Sequence, residues 1–142
     1  MTAFKGQALS ADSLEAVKAE ARVPILFDRA AGKGVMYTHR GVDVVYILEF
    51  ANGTVKVGQS VDFETRVRAN CSNRRVRGHK LMRFWRVGSD APLADEATLI
   101  RLAGELGGTA DGRTREWFTG VEGMTLINAA ERELATLERE AS

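Results

Sequence analysis

The sequence predicts an α+β domain in which helices flank a small three-stranded antiparallel sheet, ordered β-β-α-β-α-α, behind an N-terminal helical extension. Three observations point there. "VYILEFANGTVKVGQS", residues 45–60, holds two β-branched runs joined by Asn-Gly, a strong hairpin signal. "HKLMRFWRV", residues 79–87, reads as a third strand. Stretches with apolar residues at helical spacing supply the covering layer.

The extension spans 1–41 and the main domain 42–142. In "DSLEAVKAEAR", Asp12 and Glu15 form a capping-box pattern, and Leu14, Val17 and Ala21 share one face, so a short helix over 12–22 is expected before Pro24. "VPILFDRA" is a short apolar segment. "AGKG" is a loop, because the full phosphate-loop spacing is missing. Strands are expected at 42–50 and 54–58, then a helix over about 62–70 in "SVDFETRVRAN" with Ser60 or Asp62 as N-cap. Pro92 opens a second helix reaching about Leu106, and "GGTADGRT" is a loop. After "EWF", Met124, Ile127, Leu134 and Leu137 recur at helical spacing in a helix over about 121–140, and that stripe reads as core.

The 142 residues suit one domain, and 44% hydrophobic with 27% charged residues is ordinary for a globular chain. No apolar run approaches the roughly 18 residues of a membrane span. No basic segment followed by a long apolar one opens the chain, so no signal peptide is read and a cytoplasmic location is expected. The single Cys71 excludes an internal disulfide and a Cys-x-x-Cys zinc site, and reads as a bystander.

A net charge of +1 hides a segregation. Between Glu64 and Asp90 there is no acidic residue, while Arg66, Arg68, Arg74, Arg75, Arg77, Lys80, Arg83 and Arg86 fall there, interleaved with His79, Phe84 and Trp85. The remainder therefore carries −7, much of it in "EGMTLINAAERELATLEREA". Such a basic stripe is the footprint of a polyanion binder, since counterion release from phosphates drives association. The bland reading is a solvated face balanced by the acidic helix.

Val45-Tyr46-Ile47, Lys56-Val57-Gly58, "GQSVDFETR" with Arg66, Glu96 early in a helix, and Glu116-Trp117-Phe118 occur in that order. The set resembles the GIY-YIG nuclease superfamily, in particular its compact phage and bacterial branch with a late Glu-Trp-Phe motif. The resemblance covers roughly residues 42–130. It implies a metal-dependent endonuclease acting on DNA, with Tyr46 as general base, Arg66 on the scissile phosphate, Glu96 holding one Mg²⁺ or Mn²⁺, and Lys56 assisting. Lys56 stands where most members carry Tyr, and Asn70 where many carry His or Tyr. A catalytically inactive nucleic-acid-binding relative is therefore the alternative, and a module associating through the acidic C-terminal helix a weaker third. Contacts to DNA are expected from Gln59, Ser60, Arg68, Asn70, Arg74, Arg75, Arg77, His79 and Lys80. Oligomeric state, cleavage sequence and strandedness stay open.

The chemistry suits those residue types. Phosphodiester hydrolysis needs a base for water, positive charge on the phosphoryl oxygens, and help for the leaving oxygen. One carboxylate suffices for a Mg²⁺ that keeps much of its water shell. A phenol at its usual pKa is only about 0.1% ionised at neutral pH, so the Tyr46 role expects a downward shift of about three units, roughly 4 kcal/mol, from Lys56, Arg66 and a metal-bound water. Gly58 is expected to leave room for a phosphate or a neighbouring backbone. Each residue also has a plain reading: Tyr46 as a half-buried strand residue, Lys56 paired with Glu49 across the hairpin, Glu96 favouring a helix dipole, Glu116 capping the turn, and Trp117 and Phe118 as core.

Geometry supplies a test. A two-residue Asn52-Gly53 turn would put Tyr46 and Lys56 on opposite faces of the sheet. A shared site therefore predicts a three-residue loop, Ala51-Asn52-Gly53, with Gly53 left-handed, Tyr46 beside Gly58 and Leu48 beside Lys56.

Overall fold

A computed structural model describes residues 9–10, 25–28, 33–37, 40–112 and 115–141. In chain order the elements are β1 (Leu9–Ser10), β2 (Ile25–Asp28), β3 (Lys33–Tyr37), β4 (Arg40–Phe50), β5 (Val55–Asp62), α1 (Phe63–Cys71), β6 (Leu81–Gly88), α2 (Pro92–Glu105), β7 (Thr109–Ala110), β8 (Trp117–Thr119) and α3 (Gly123–Ala141). The class is α+β, with an antiparallel sheet and helices against it. The expected three strands are its centre, β6-β4-β5, but the sheet has six, in the order β1-β6-β4-β5-β8-β7. The three additions are two or three residues long and pair through backbone at the edges, so their sequence carries no period to read. The helix expected over 12–22 lies outside the described residues. "VPILFDRA" and "AGKG" contribute to a separate two-stranded sheet, β2 with β3, so the loop expected at 31–34 runs into a strand at Lys33.

The hairpin has the predicted register: Tyr46 faces Gly58 and Leu48 faces Lys56. Phe50 N–H donates to the Thr54 carbonyl, Gly53 N–H donates to the Phe50 carbonyl, and Gly53 has φ +84°, which is a type I turn closed by a left-handed glycine. The odd loop length puts Tyr46, Leu48, Lys56 and Gly58 on one face.

Phe63, Val67 and Asn70 of α1, spaced i, i+4 and i+7, are buried against that face. Phe63 meets the Tyr46 ring edge-on at 5.6 Å and the Phe84 ring at 5.8 Å. Of the two N-cap candidates Asp62 acts, accepting from Thr65 N–H at 3.3 Å, while Ser60 Oγ accepts from Asp62 N–H at 2.8 Å. The opposite face carries Val45, Ile47, Val57 and Trp85 under α3, where Trp85 Nε1 donates to Glu131 at 3.0 Å. Ile127 and Leu134 of the C-terminal stripe are buried, as are Trp117 and Phe118. No helix among the described residues is long and apolar enough to cross a membrane.

Candidate active site

Tyr46 sits in the middle of the central strand, between Gly58 on β5 and Arg86 on β6, and is 1% exposed. Its phenol lies across Gly58: a Cβ on that glycine would stand 2.4 Å from Tyr46 Oη and 2.6 Å from Cζ. The glycine thus makes room for the Tyr46 ring, where the sequence suggested a phosphate or a backbone. Asn70 Nδ2 donates to Tyr46 Oη at 3.1 Å from the facing side of α1. This places Asn70 inside the domain, as the orienting partner of the phenol, and away from the surface role expected for it.

Lys56 is also buried, at 6% exposure, and its Nζ is 2.9 Å from Glu116 Oε2 and 5.5 Å from the centre of the Trp117 ring. Its alternative partner, Glu49, is on the other face of the sheet, bound to Arg83 and to the Gly123 N–H at 2.9 Å. Glu96, in the second turn of α2, brings its carboxyl within hydrogen-bonding reach of Glu116 and within the field of Lys56. Arg66 lies on α1 next to the buried stripe, exposed, and close enough for its charge to act on Tyr46. Tyr46, Lys56, Arg66, Asn70 and Glu96, drawn from four elements, therefore converge.

The electrostatics correct one expectation. Burial pushes the Tyr46 pKa up to about 12; the Asn70 hydrogen bond and Arg66 pull it down, while Glu116 and Glu96 push it up. The phenol is neutral at physiological pH, and the downward shift expected from neighbouring cations is outweighed by desolvation. Glu96 is likewise raised above the usual carboxylate range, first by burial and then by Glu116, with Lys56 opposing. Burial also raises the Cys71 thiol, in keeping with an inert cysteine.

Glu116 is the member of the cluster that sequence reasoning assigned only to a cap. Its motif position was visible, but its pairing with Lys56 across 60 residues was not. Among the described residues no group of three or more His, Cys, Asp or Glu is arranged to hold a metal. Glu96 nevertheless suits a divalent cation that keeps most of its water, since a carboxyl crowded by Glu116 gains from added positive charge.

The basic stretch divides. Arg86 is buried at 2% exposure beside the Phe63 ring, Arg83 is engaged by Glu49, and Arg75 joins Asp111 and lies 5.6 Å from the Trp117 ring. Arg75 is thus a clamp on the loop before Glu116, where a DNA contact was expected. Its carbonyl also accepts from Asn52 Nδ2 at 2.9 Å, tying in the hairpin tip. Arg66, Arg68, Arg74, Arg77, His79 and Lys80 are exposed. Gln59 faces Val45, which puts it on the side of the sheet away from Tyr46, and Ser60 Oγ accepts from the Asp62 N–H. On the acidic helix, Glu133 reaches Arg101 of α2 at 3.3 Å.

Compared with protein-family models, with curated proteins and with solved structures, the chain matches none.

Proposed function

We propose that this protein is a metal-dependent endonuclease of the GIY-YIG type that hydrolyses DNA phosphodiester bonds. The observation that carries the reading is the convergence of Tyr46, Lys56, Arg66 and Glu96, with the Tyr46 phenol held over Gly58 by Asn70. Arg66 acts on Tyr46, and the exposed cations that follow it in the chain, up to Lys80, suit a phosphate backbone.

In this reading Arg66 holds the scissile phosphate through its planar fork and stabilises charge on its oxygens in the transition state. Lys56 adds a second, desolvated positive charge. Glu96 would hold a Mg²⁺ or Mn²⁺, which supplies Lewis-acid stabilisation of the phosphoryl group. Tyr46, in its phenolate form, takes a proton from the attacking water to become the neutral phenol, and Asn70 fixes its oxygen for that task.

With a pKa of about 12, only roughly one Tyr46 in 10⁵ is a phenolate at pH 7. Single-turnover cleavage is therefore expected to climb about tenfold per pH unit between pH 6.5 and 9, and Tyr46→Phe to flatten that slope. A rate independent of pH over that range would remove Tyr46 from the base role.

The same buried, neutral phenol favours the second reading, a nucleic-acid-binding protein without turnover. Incubating single- and double-stranded DNA with the protein and Mg²⁺ or Mn²⁺, beside Glu96→Ala, separates the two. Cleavage by the wild type alone supports the enzyme; binding without cleavage of any substrate supports the binder.

A further inference from the structure

We infer that Glu116 is a positioning residue for this reaction, acting through Lys56, an inference that rests on the nuclease reading. An ammonium carries three N–H donors on a stem of four rotatable bonds, so a buried lysine points nowhere in particular unless something aims it. Here one donor is taken by Glu116 Oε2 at 2.9 Å, and the Trp117 ring stands 5.5 Å from Nζ. Among the described residues Glu116 is the side chain hydrogen-bonded to Nζ, which leaves two N–H donors for a phosphoryl oxygen.

Glu116 is itself fixed by backbone. Its carbonyl accepts from Val57 N–H at 2.9 Å, its neighbour Trp117 pairs directly opposite Lys56, and the Trp117 carbonyl accepts from Asp111 N–H at 2.7 Å. Arg115, immediately before it, holds φ +57°, a left-handed conformation that a non-glycine residue adopts at a cost. Arg75 braces the same loop through Asp111 and Trp117. The loop is thus built to deliver one carboxylate to one ammonium, and that carboxylate also reaches Glu96 on α2. Glu116 thereby fixes the position of the cation on β5.

The test is a double-mutant cycle of Glu116→Gln and Lys56→Met, read by steady-state cleavage of duplex DNA with Mg²⁺ and by thermal melting. Glu116→Gln is expected to lower kcat about 30- to 100-fold with KM changed less than about threefold. In the Lys56→Met background the same substitution is expected to cost less than about twofold, because its route of action is gone. The double variant removes both charges together, so it folds even where Glu116→Gln alone does not. A merely structural Glu116 would lower the melting temperature and leave kcat per folded molecule unchanged. A kcat within about twofold of wild type for Glu116→Gln, or the same loss with and without Lys56, overturns the inference alone. Absence of cleavage by the wild type overturns the nuclease reading and the inference with it.

Discussion

Replacing Glu96 with Gln is expected to abolish cleavage while making the protein more stable at neutral pH. The cleavage loss follows from removing the carboxylate assigned to the metal, and should reach about 10³-fold or more in single-turnover rate. The stability gain follows from linkage. Glu96 has a raised pKa in the folded protein, because burial and Glu116 disfavour its charge. Its contribution to stability is therefore full below the unfolded value near 4.5 and is lost as pH rises through the folded value, leaving a constant penalty at neutral pH. Gln keeps the shape without the charge. Each kcal/mol relieved is worth roughly 3 °C of melting temperature in a chain of this size. Melting curves at pH 4 and pH 7.5 check the sign: the variant should gain at pH 7.5 and show little difference at pH 4. Added Mg²⁺ should raise the wild-type melting temperature and leave Glu96→Gln unmoved. A variant less stable than wild type at pH 7.5 would contradict the picture of two carboxyls in mutual repulsion.

Gly58→Ala is the second large effect. Its backbone asks for no positive φ, so the methyl group acts by contact alone. A Cβ 2.4 Å from Tyr46 Oη forces the ring to move, yet the ring is held edge-on by Phe63 and by the Asn70 hydrogen bond. Overpacking of this kind costs about 1–3 kcal/mol. A displacement of about 1 Å at the reacting group is worth roughly 10²-fold in rate. Both losses are expected together in Gly58→Ala, and neither in Gly53→Asn, whose left-handed turn position tolerates Asn and has nothing within 4 Å of a Cβ. Wild-type melting and cleavage by Gly58→Ala would mean that Tyr46 is not confined as described.

The hairpin's loop and register were legible in the sequence, because Asn-Gly chemistry and the demand that Tyr46 and Lys56 share a face left one loop length that satisfies both, whereas its second strand runs on to Asp62, past the end expected at 58. The start of α1 was legible from its capping residues, and of the two candidates only the structure chose Asp62. The edge strands were not, since two- and three-residue strands are defined by the partners they find. The basic stretch looked uniform in sequence because Arg75, Arg83 and Arg86 are chemically the same as Arg66, Arg74 and Arg77; which of them faces solvent depends on strand alternation and on where Asp111 and Glu49 lie. The Tyr46 pKa was misjudged for a related reason. Neighbouring cations can be counted along a chain, but the depth of burial that outweighs them cannot.

The most direct test of the central claim is single-turnover cleavage of an end-labelled DNA duplex by the wild type, Tyr46→Phe, Arg66→Ala and Glu96→Ala, with and without Mg²⁺, alongside a binding measurement. Metal-dependent cleavage is predicted for the wild type, with each variant slowed by about 10²-fold or more. Glu96→Ala and Tyr46→Phe should still bind DNA nearly as tightly as wild type. Cleavage that survives all three substitutions, or a wild type that binds DNA and cuts none, would contradict it.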